Sequence, residues 1–328
     1  MTASSPTTGL GLGKFSYTKG LHDLGNNTYA WLQPDGGWGW SNAGLIVDGD
    51  QSLLVDTLFD VPHTRDMLDA MRGATKAADA INTLVNTHHN GDHCYGNECC
   101  HGAEIVAHKL AAEAMAHEPP SMLAGFLEMA PELGDLGDYL TKCFGPFDFK
   151  GVTPVLPTTT FETELERMVG NKKVLLKHVG PAHTPGDVLA YVPADKTVFT
   201  GDILFIEGHP IMWEGPVSNW ISACDNILAM DVDIVVPGHG PITDKRGVTA
   251  VRNYLIYVRD EARKRFDAGL DSFEAARDIN MTDYDSWGDG ERIAVNVATL
   301  YREFRGDDTP HDTTTLFSQM ATLAKDRA

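Results

Sequence analysis

A series of short apolar segments in this chain runs into loops that carry histidine or aspartate. SLLVDT carries Asp56 near its end, and INTLVNT opens into His88, His89, Asn90, Asp92 and His93. Further along, GPAHTPGD carries His183, TVFTGD carries Asp202, and VDIVVPGHG carries His239. Short apolar runs bounded by turn residues are expected to be buried strands. Loops that leave strand ends are where α/β proteins place their sites. Packing accounts for one such histidine, but not for a succession of them. Imidazole and carboxylate are also the ligand types that suit zinc, iron or manganese.

The rest of the pattern predicts alternating strands and helices. Strands are expected over 28–32, 44–48, 52–57, 81–87 and 104–108, with a Gly/Trp-rich turn, PDGGWGWSN, after the first. Residues 60–74 carry Met67, Leu68 and Met71 on one helical stripe. Residues 109–150 are rich in Ala, Met and Leu and broken by Pro119, Pro120 and Pro131, which predicts short inserted helices. KKVLLKHVG, DVLAYV and TVFTGD resume the strands, with PADK as a hairpin turn. Beyond residue 243 the pattern is helical, and the last 20 or so residues are polar and expected to be loosely held. The domain reading is therefore 1–245 for an α/β unit, with 109–150 inserted. Residues 246–328 form a helical extension packed on the same unit.

Charge narrows the partners. With 26 basic and 46 acidic residues the formal net charge is −20, which disfavours nucleic acid and anionic membrane. The start, MTASSPTTGLGLGKF, has no basic and apolar leader pattern, and no apolar run is long enough to span a bilayer. Five cysteines, three of them at 94, 99 and 100, do not form a disulfide framework and suit a reducing cytoplasm. A small molecule and a possible homodimer remain as partners. The stripe Ile293, Val297, Leu300, Tyr301 and Phe304 could serve internal packing or a dimer face.

The motifs Thr87–His–His–Asn–Gly–Asp–His93, Ala182–His183–Thr184, Gly201–Asp202 and Gly238–His239 resemble, in order and spacing, those of the metallo-β-lactamase superfamily. SLLVDT supplies the family's early strand aspartate, and the likeness covers roughly residues 25 to 245. It implies a four-layer αββα sandwich with metals at one edge, here with a helical insertion and a helical C-terminal extension. It further implies that His88 and His183 bind a first ion, that Asp92, His93 and His239 bind a second, and that Asp202 bridges both. Asp56 would orient ligands by hydrogen bonding.

One position departs from the family. Asn90 stands where THxHxDH has its second histidine, giving an HxNGDH subgroup, and an amide oxygen is a weaker zinc donor than imidazole. One firmly bound ion is expected, with the site around His88 and His183 weakened. Zinc is the expected metal, with iron or manganese possible. His89 is a poor replacement, because neighbouring side chains on extended backbone point opposite ways.

The resemblance implies a metal-dependent hydrolase in which water made acidic by the metal attacks an ester, thioester, lactone or similar electrophile. Asp92 is the candidate for orienting or deprotonating that water, and Asn90 for donating its amide N–H to a substrate oxygen. Trp38, Trp40, Met212 and Trp213, with His209, are candidate pocket residues for a small, partly apolar substrate. The insertion around Met115, Met122, Leu123, Phe126, Leu127 and Met129 reads as a core stripe or as a lid. Trp220 is expected to begin a helix and pack; His101, His108, His117 and His178 fit no ligand motif. Hydrolytic dehalogenation of a chlorinated aromatic is an alternative, as is a non-catalytic metal-binding protein of the same fold.

Overall fold

Strand periodicity builds two sheets, and the computed structural model describes residues 11–326. Most of the N-terminal stretch from which no leader is expected lies outside the described residues. The first sheet runs β1 (Gly20–Gly25), β2 (Thr28–Leu32), β3 (Ala43–Asp48), β4 (Gln51–Val55), β5 (Thr83–Val85), β6 (Glu104–His108) and β7 (Thr159–Phe161) in spatial order. β1 to β4 pair antiparallel and β4 to β7 parallel. The second sheet holds β8 (Glu164–Val169), β9 (Lys172–His178), β10 (Val188–Val192), β11 (Thr197–Phe199) and β12 (Ile234–Val236) in order β12-β11-β10-β9-β8.

Alternation along each strand decides which layer its side chains join. Ile46, Leu53, Val55, Val85 and Val106 face the second sheet and meet Val174, Leu176, Ala190 and Phe199 in one core. Their neighbours Leu45, Leu54, Leu84 and Ile105 face outward and meet Met67, Leu68 and Met71 of α1 (Val61–Ala74). Asp60 caps that helix by accepting from the His63 N–H at 2.9 Å. A Cβ at Gly44 would sit 2.1 Å from the Phe199 ring, so the sheets approach closely only because that residue has no side chain.

The remaining helices are α2 (Gly91–Cys94), α3 (Lys109–Met115), α4 (Pro120–Met129), α5 (Asp135–Phe144), α6 (Val217–Ala229), α7 (Lys245–Asp267), α8 (Ser272–Asp278), α9 (Ile293–Arg305) and α10 (Thr313–Asp326). α6 and α7 cover the second sheet through Trp220, Ile227, Val251 and Leu255, completing four layers. As expected, Trp220 is fully buried in α6, with its indole N–H donating to the Ile203 carbonyl at 2.9 Å. No helix among the described residues is long and apolar enough to cross a membrane.

One expectation changes, one pair of alternatives is decided, and three strands had no expectation. The C-terminal stretch is not loose: α10 buries Leu316, Met320, Ala321 and Leu323 against α5 and α9, because its apolar residues fall at helical spacing within a polar composition. The stripe of α9 is internal, with Ile293, Val297, Leu300 and Tyr301 buried inside the chain, so those residues form no dimer face. Strands β1, β7 and β8 carry weak patterns, since β1 and β8 are edge strands with mostly half-exposed or exposed side chains.

Candidate metal centre

The C-terminal ends of β4, β5, β11 and β12, with the β9–β10 loop, bring the histidines and aspartates to one edge of the sandwich. Their geometry has a common centre at Asp202. Its carboxylate lies 3.1 Å from His93 Nε2, 3.3 Å from His183 Nε2, 3.5 Å from His239 Nε2 and 3.7 Å from His88 Nε2. Asp92 joins from the side, 3.2 Å from His239 Nε2 and 3.9 Å from His93 Nε2. All six side chains predicted as ligands meet here.

The other nitrogen of each ring is tied down. His93 Nδ1 donates to Asp56 Oδ2 at 3.0 Å, His183 Nδ1 to the Ile211 carbonyl at 2.7 Å, and His239 Nδ1 to the Gly36 carbonyl at 3.1 Å. Thr87 links the fourth: its hydroxyl donates to Asp56 Oδ2 at 2.7 Å and accepts from His88 Nδ1 at 3.0 Å. The Thr87 backbone N–H also donates to Asp56 Oδ1 at 2.7 Å. Four acceptors thus hold a proton on each Nδ1 and aim all four Nε2 atoms inward.

That arrangement fits a divalent cation. His88 Nε2 is buried and has no hydrogen-bond partner among the described residues. Leaving such a group unsatisfied costs about 1–3 kcal/mol. Donor atoms of His88, His93 and Asp202 lie within 4.8 Å of one another, as do those of Asp92, His93 and His239. His183 is in neither group, although His88 and His183 were expected to share an ion. A Cβ at Gly238 would fall 2.0 Å from Asp202 Oδ1, so the GH loop can press against the carboxylate only through a glycine.

Electrostatics separate the histidines. Burial pushes His183 down to about 4 and holds His88 well below its ordinary value, so both are neutral donors near neutral pH. Burial also acts on His93 and His239, but Asp202 and Asp92 outweigh it; His93 rises well above the usual value and His239 to about 9. Asp202 is held well below the carboxylate range, because the surrounding imidazoles outweigh its desolvation. An ion bound between these groups takes over the charge balance that those protons supply.

Asn90 enters the centre from another direction. Its side-chain amide lies 2.8 Å from His183 Nε2, through Oδ1. Since His183 Nδ1 carries the proton given to Ile211, Nε2 holds a lone pair. An amide rotated by half a turn then offers that lone pair an N–H. His89 turns away to Glu118, 3.3 Å distant, and does not stand in for the missing ligand. Asn86 and Asn97, which sequence reasoning missed, hold the loop. Their amides bond each other at 2.9 and 3.1 Å, and Asn86 also donates to the His93 carbonyl at 2.9 Å. The available signal was the asparagine that closes an apolar strand at position 86.

The centre forms the floor of a cavity of about 800 Å³. Trp38 and Trp213 line it, as expected. Trp40 and Met212 do not. Trp40 packs on Phe147 and His63, with ring centroids 4.7 and 5.3 Å away. Met212 is buried under α9, its N–H bonded to Asn296 and its carbonyl to Thr299. His209 is likewise buried among Tyr254, Tyr284 and Trp287. The insertion divides: Met115 joins the core, while Met122, Leu123 and Phe126 line the cavity. His108 and His178 stack on each other at 3.6 Å, away from the centre.

The profile of the metallo-beta-lactamase superfamily matches residues 36–239, which span every motif of the centre. The chain belongs to that superfamily. Among curated relatives of this metallo-β-lactamase-fold chain, the linear primary-alkylsulfatase of a Pseudomonas species is 23% identical over 72% of this chain and 49% of the relative. The 2,4-dinitroanisole O-demethylase subunit alpha of a Nocardioides species is 24% identical over 60% of this chain and 51% of the relative. The sec-alkylsulfatase Pisa1 from Pseudomonas sp. superposes with a TM-score of 0.68 at 18% identity, covering 91% of this chain and 52% of that one. The chain therefore spans about half the length of these relatives.

Proposed function

We propose that this chain is a metal-dependent hydrolase of a small, partly apolar molecule, acting on an ester, thioester, lactone or similar electrophile. The observation that carries this reading is the convergence of four histidine Nε2 atoms on Asp202 at the floor of the cavity. Zinc suits this mixture of imidazole and carboxylate, with iron or manganese as alternatives. A bound divalent ion supplies an acidified water and a polarised electrophile. His93, His239, Asp92 and Asp202 would hold the principal ion, with His88 within reach of Asp202. Asp92, at the cavity floor, orients the attacking water and takes its proton. Asn90 lines the same cavity and has an amide N–H to offer either His183 or a substrate oxygen. In the first orientation it blocks the lone pair that a second ion would need, which supports one firmly held ion per chain.

Chelation followed by metal return tests the reading. Stripping the protein should abolish hydrolysis of an activated ester and of a thioester, and zinc should restore it. Absence of turnover with zinc, iron or manganese would favour a non-catalytic metal-binding protein of this fold. A second reading, hydrolytic displacement of a substituent such as halide from an aromatic ring, draws on the aromatic lining of the cavity. Halide release from a chlorinated aromatic, measured by ion chromatography, separates it from acyl hydrolysis.

A further inference from the structure

Four separated parts of the chain place aromatic rings on one wall of the cavity. Trp38 comes from the turn after β2, Phe144 from α5, Trp213 from the loop that follows Asp202, and Phe317 from α10. Trp38 lies 5.7 Å from Phe144, 5.7 Å from Phe317 and 6.5 Å from Trp213. Phe317 in turn lies 6.1 Å from Trp213 and 5.9 Å from Phe144. These are tilted and edge-to-face contacts, so the wall offers both ring faces and ring edges. Flexible side chains of α4, Met122 among them at 48% exposed, line the same cavity.

The charges around this wall are unusual for a cavity meant for an anion. Arg292 and Arg302 are the cationic side chains among the described lining residues. Arg292 is 2% exposed and already engaged. It donates to the His209 carbonyl at 3.0 Å, pairs with Asp289 at 2.9 Å and stacks 4.7 Å from the Trp38 ring. Arg302 donates to the Glu214 carbonyl at 2.9 Å. Glu118, Glu214 and Asp308 line the cavity as well. Outside the metal centre the lining carries more acid than base, so an anionic head group would meet net repulsion there.

From this wall and this charge balance, and resting on the hydrolase reading above, we infer that the substrate is an uncharged molecule bearing an aryl group. The aryl group lies against the Trp38–Phe144–Trp213–Phe317 wall while the scissile bond faces the metal centre. The cavity volume falls in the range that encloses most of a drug-sized ligand. The elements that supply Phe144 and Phe317 lie in the insertion and in the C-terminal helices, so these two parts of the chain would set specificity.

Binding and turnover test the inference separately. Titration of zinc-loaded protein with phenylbutanol and with cyclohexylbutanol, followed by tryptophan fluorescence, compares an aryl ring with a saturated ring of the same size. The phenyl compound should bind about tenfold tighter although it is the less hydrophobic of the two. Phe317→Leu and Trp213→Leu should each erase most of that ratio. Equal affinities, or tighter binding of the cyclohexyl compound, would overturn the aryl assignment whether or not the protein hydrolyses anything. In the turnover arm, methyl phenylbutanoate should be hydrolysed and phenylbutyl sulfate should not; the reverse would overturn the assignment of an uncharged substrate. If neither is hydrolysed while the phenyl preference holds, the acyl-hydrolase reading fails and the aryl site stands.

Discussion

The two halves of the candidate metal centre share a fold and the carboxylate of Asp202, yet they are not equivalent. On one side His93, His239 and Asp92 lie with donor atoms close together, and His93 is braced by the buried carboxylate of Asp56. On the other, His88 leans on a threonine hydroxyl and His183 on a main-chain carbonyl, while the Asn90 amide faces His183 Nε2 at 2.8 Å. A carboxylate behind an imidazole raises its basicity as a ligand; a neutral acceptor does so less. One side-chain difference, amide for imidazole at position 90, thus accompanies a graded change in donor strength across the centre.

The largest effect should come from the carboxylate-rich half. His93→Ala removes a donor found in both ligand groups and leaves Asp56 buried without its imidazole partner. Metal retained after dialysis, read by elemental analysis, should fall from about one ion per chain to near zero, and hydrolysis should fall to background. His183→Ala should keep most of that ion. Equal loss of metal from the two variants would break the comparison between the halves.

Next comes the residue that makes the halves differ. Asn90→His supplies an imidazole beside His183 and Asp202, and removes the amide that faces the His183 lone pair. Zinc content should rise from about one to about two ions per chain. An unchanged content would mean that the weakness of this half lies elsewhere, in the distance of 3.7 Å between His88 and Asp202 for example.

Much of this asymmetry was legible before any coordinates. Asn90 stands out because five of the six other motif positions around it are histidine, aspartate or threonine, and a two-layer pattern of apolar strands gives the sandwich. What the sequence did not carry was tertiary. Trp40 and Met212 sit within two residues of the cavity residues Trp38 and Trp213, yet both turn into packing: the turn through Gly39, at φ 73°, parts Trp40 from Trp38, and Met212 is buried while its neighbour Trp213 lines the cavity. The polar tail beyond residue 308 hides a helix whose four buried apolar side chains are spaced for α5 and α9. Phe317 reaches the cavity only because that helix packs as it does, which no local pattern reveals.

The smallest expected effect belongs to the residue that joins the halves. Thr87 gives its hydroxyl hydrogen to Asp56 and accepts from His88, so one oxygen couples the brace of His93 to the tautomer of His88. Thr87→Val keeps the shape and the backbone N–H bond to Asp56 but leaves His88 Nδ1 buried without an acceptor. Unfolding free energy of the metal-free protein should fall by about 1–3 kcal/mol, the cost of a buried unsatisfied donor, as measured by denaturant titration. Affinity for the tightly held ion should change less, because Asp56 still receives the Thr87 N–H and still holds His93. A loss of that ion comparable to the loss in His93→Ala would show that the two halves act as one unit, with the threonine as their shared hinge of charge and geometry.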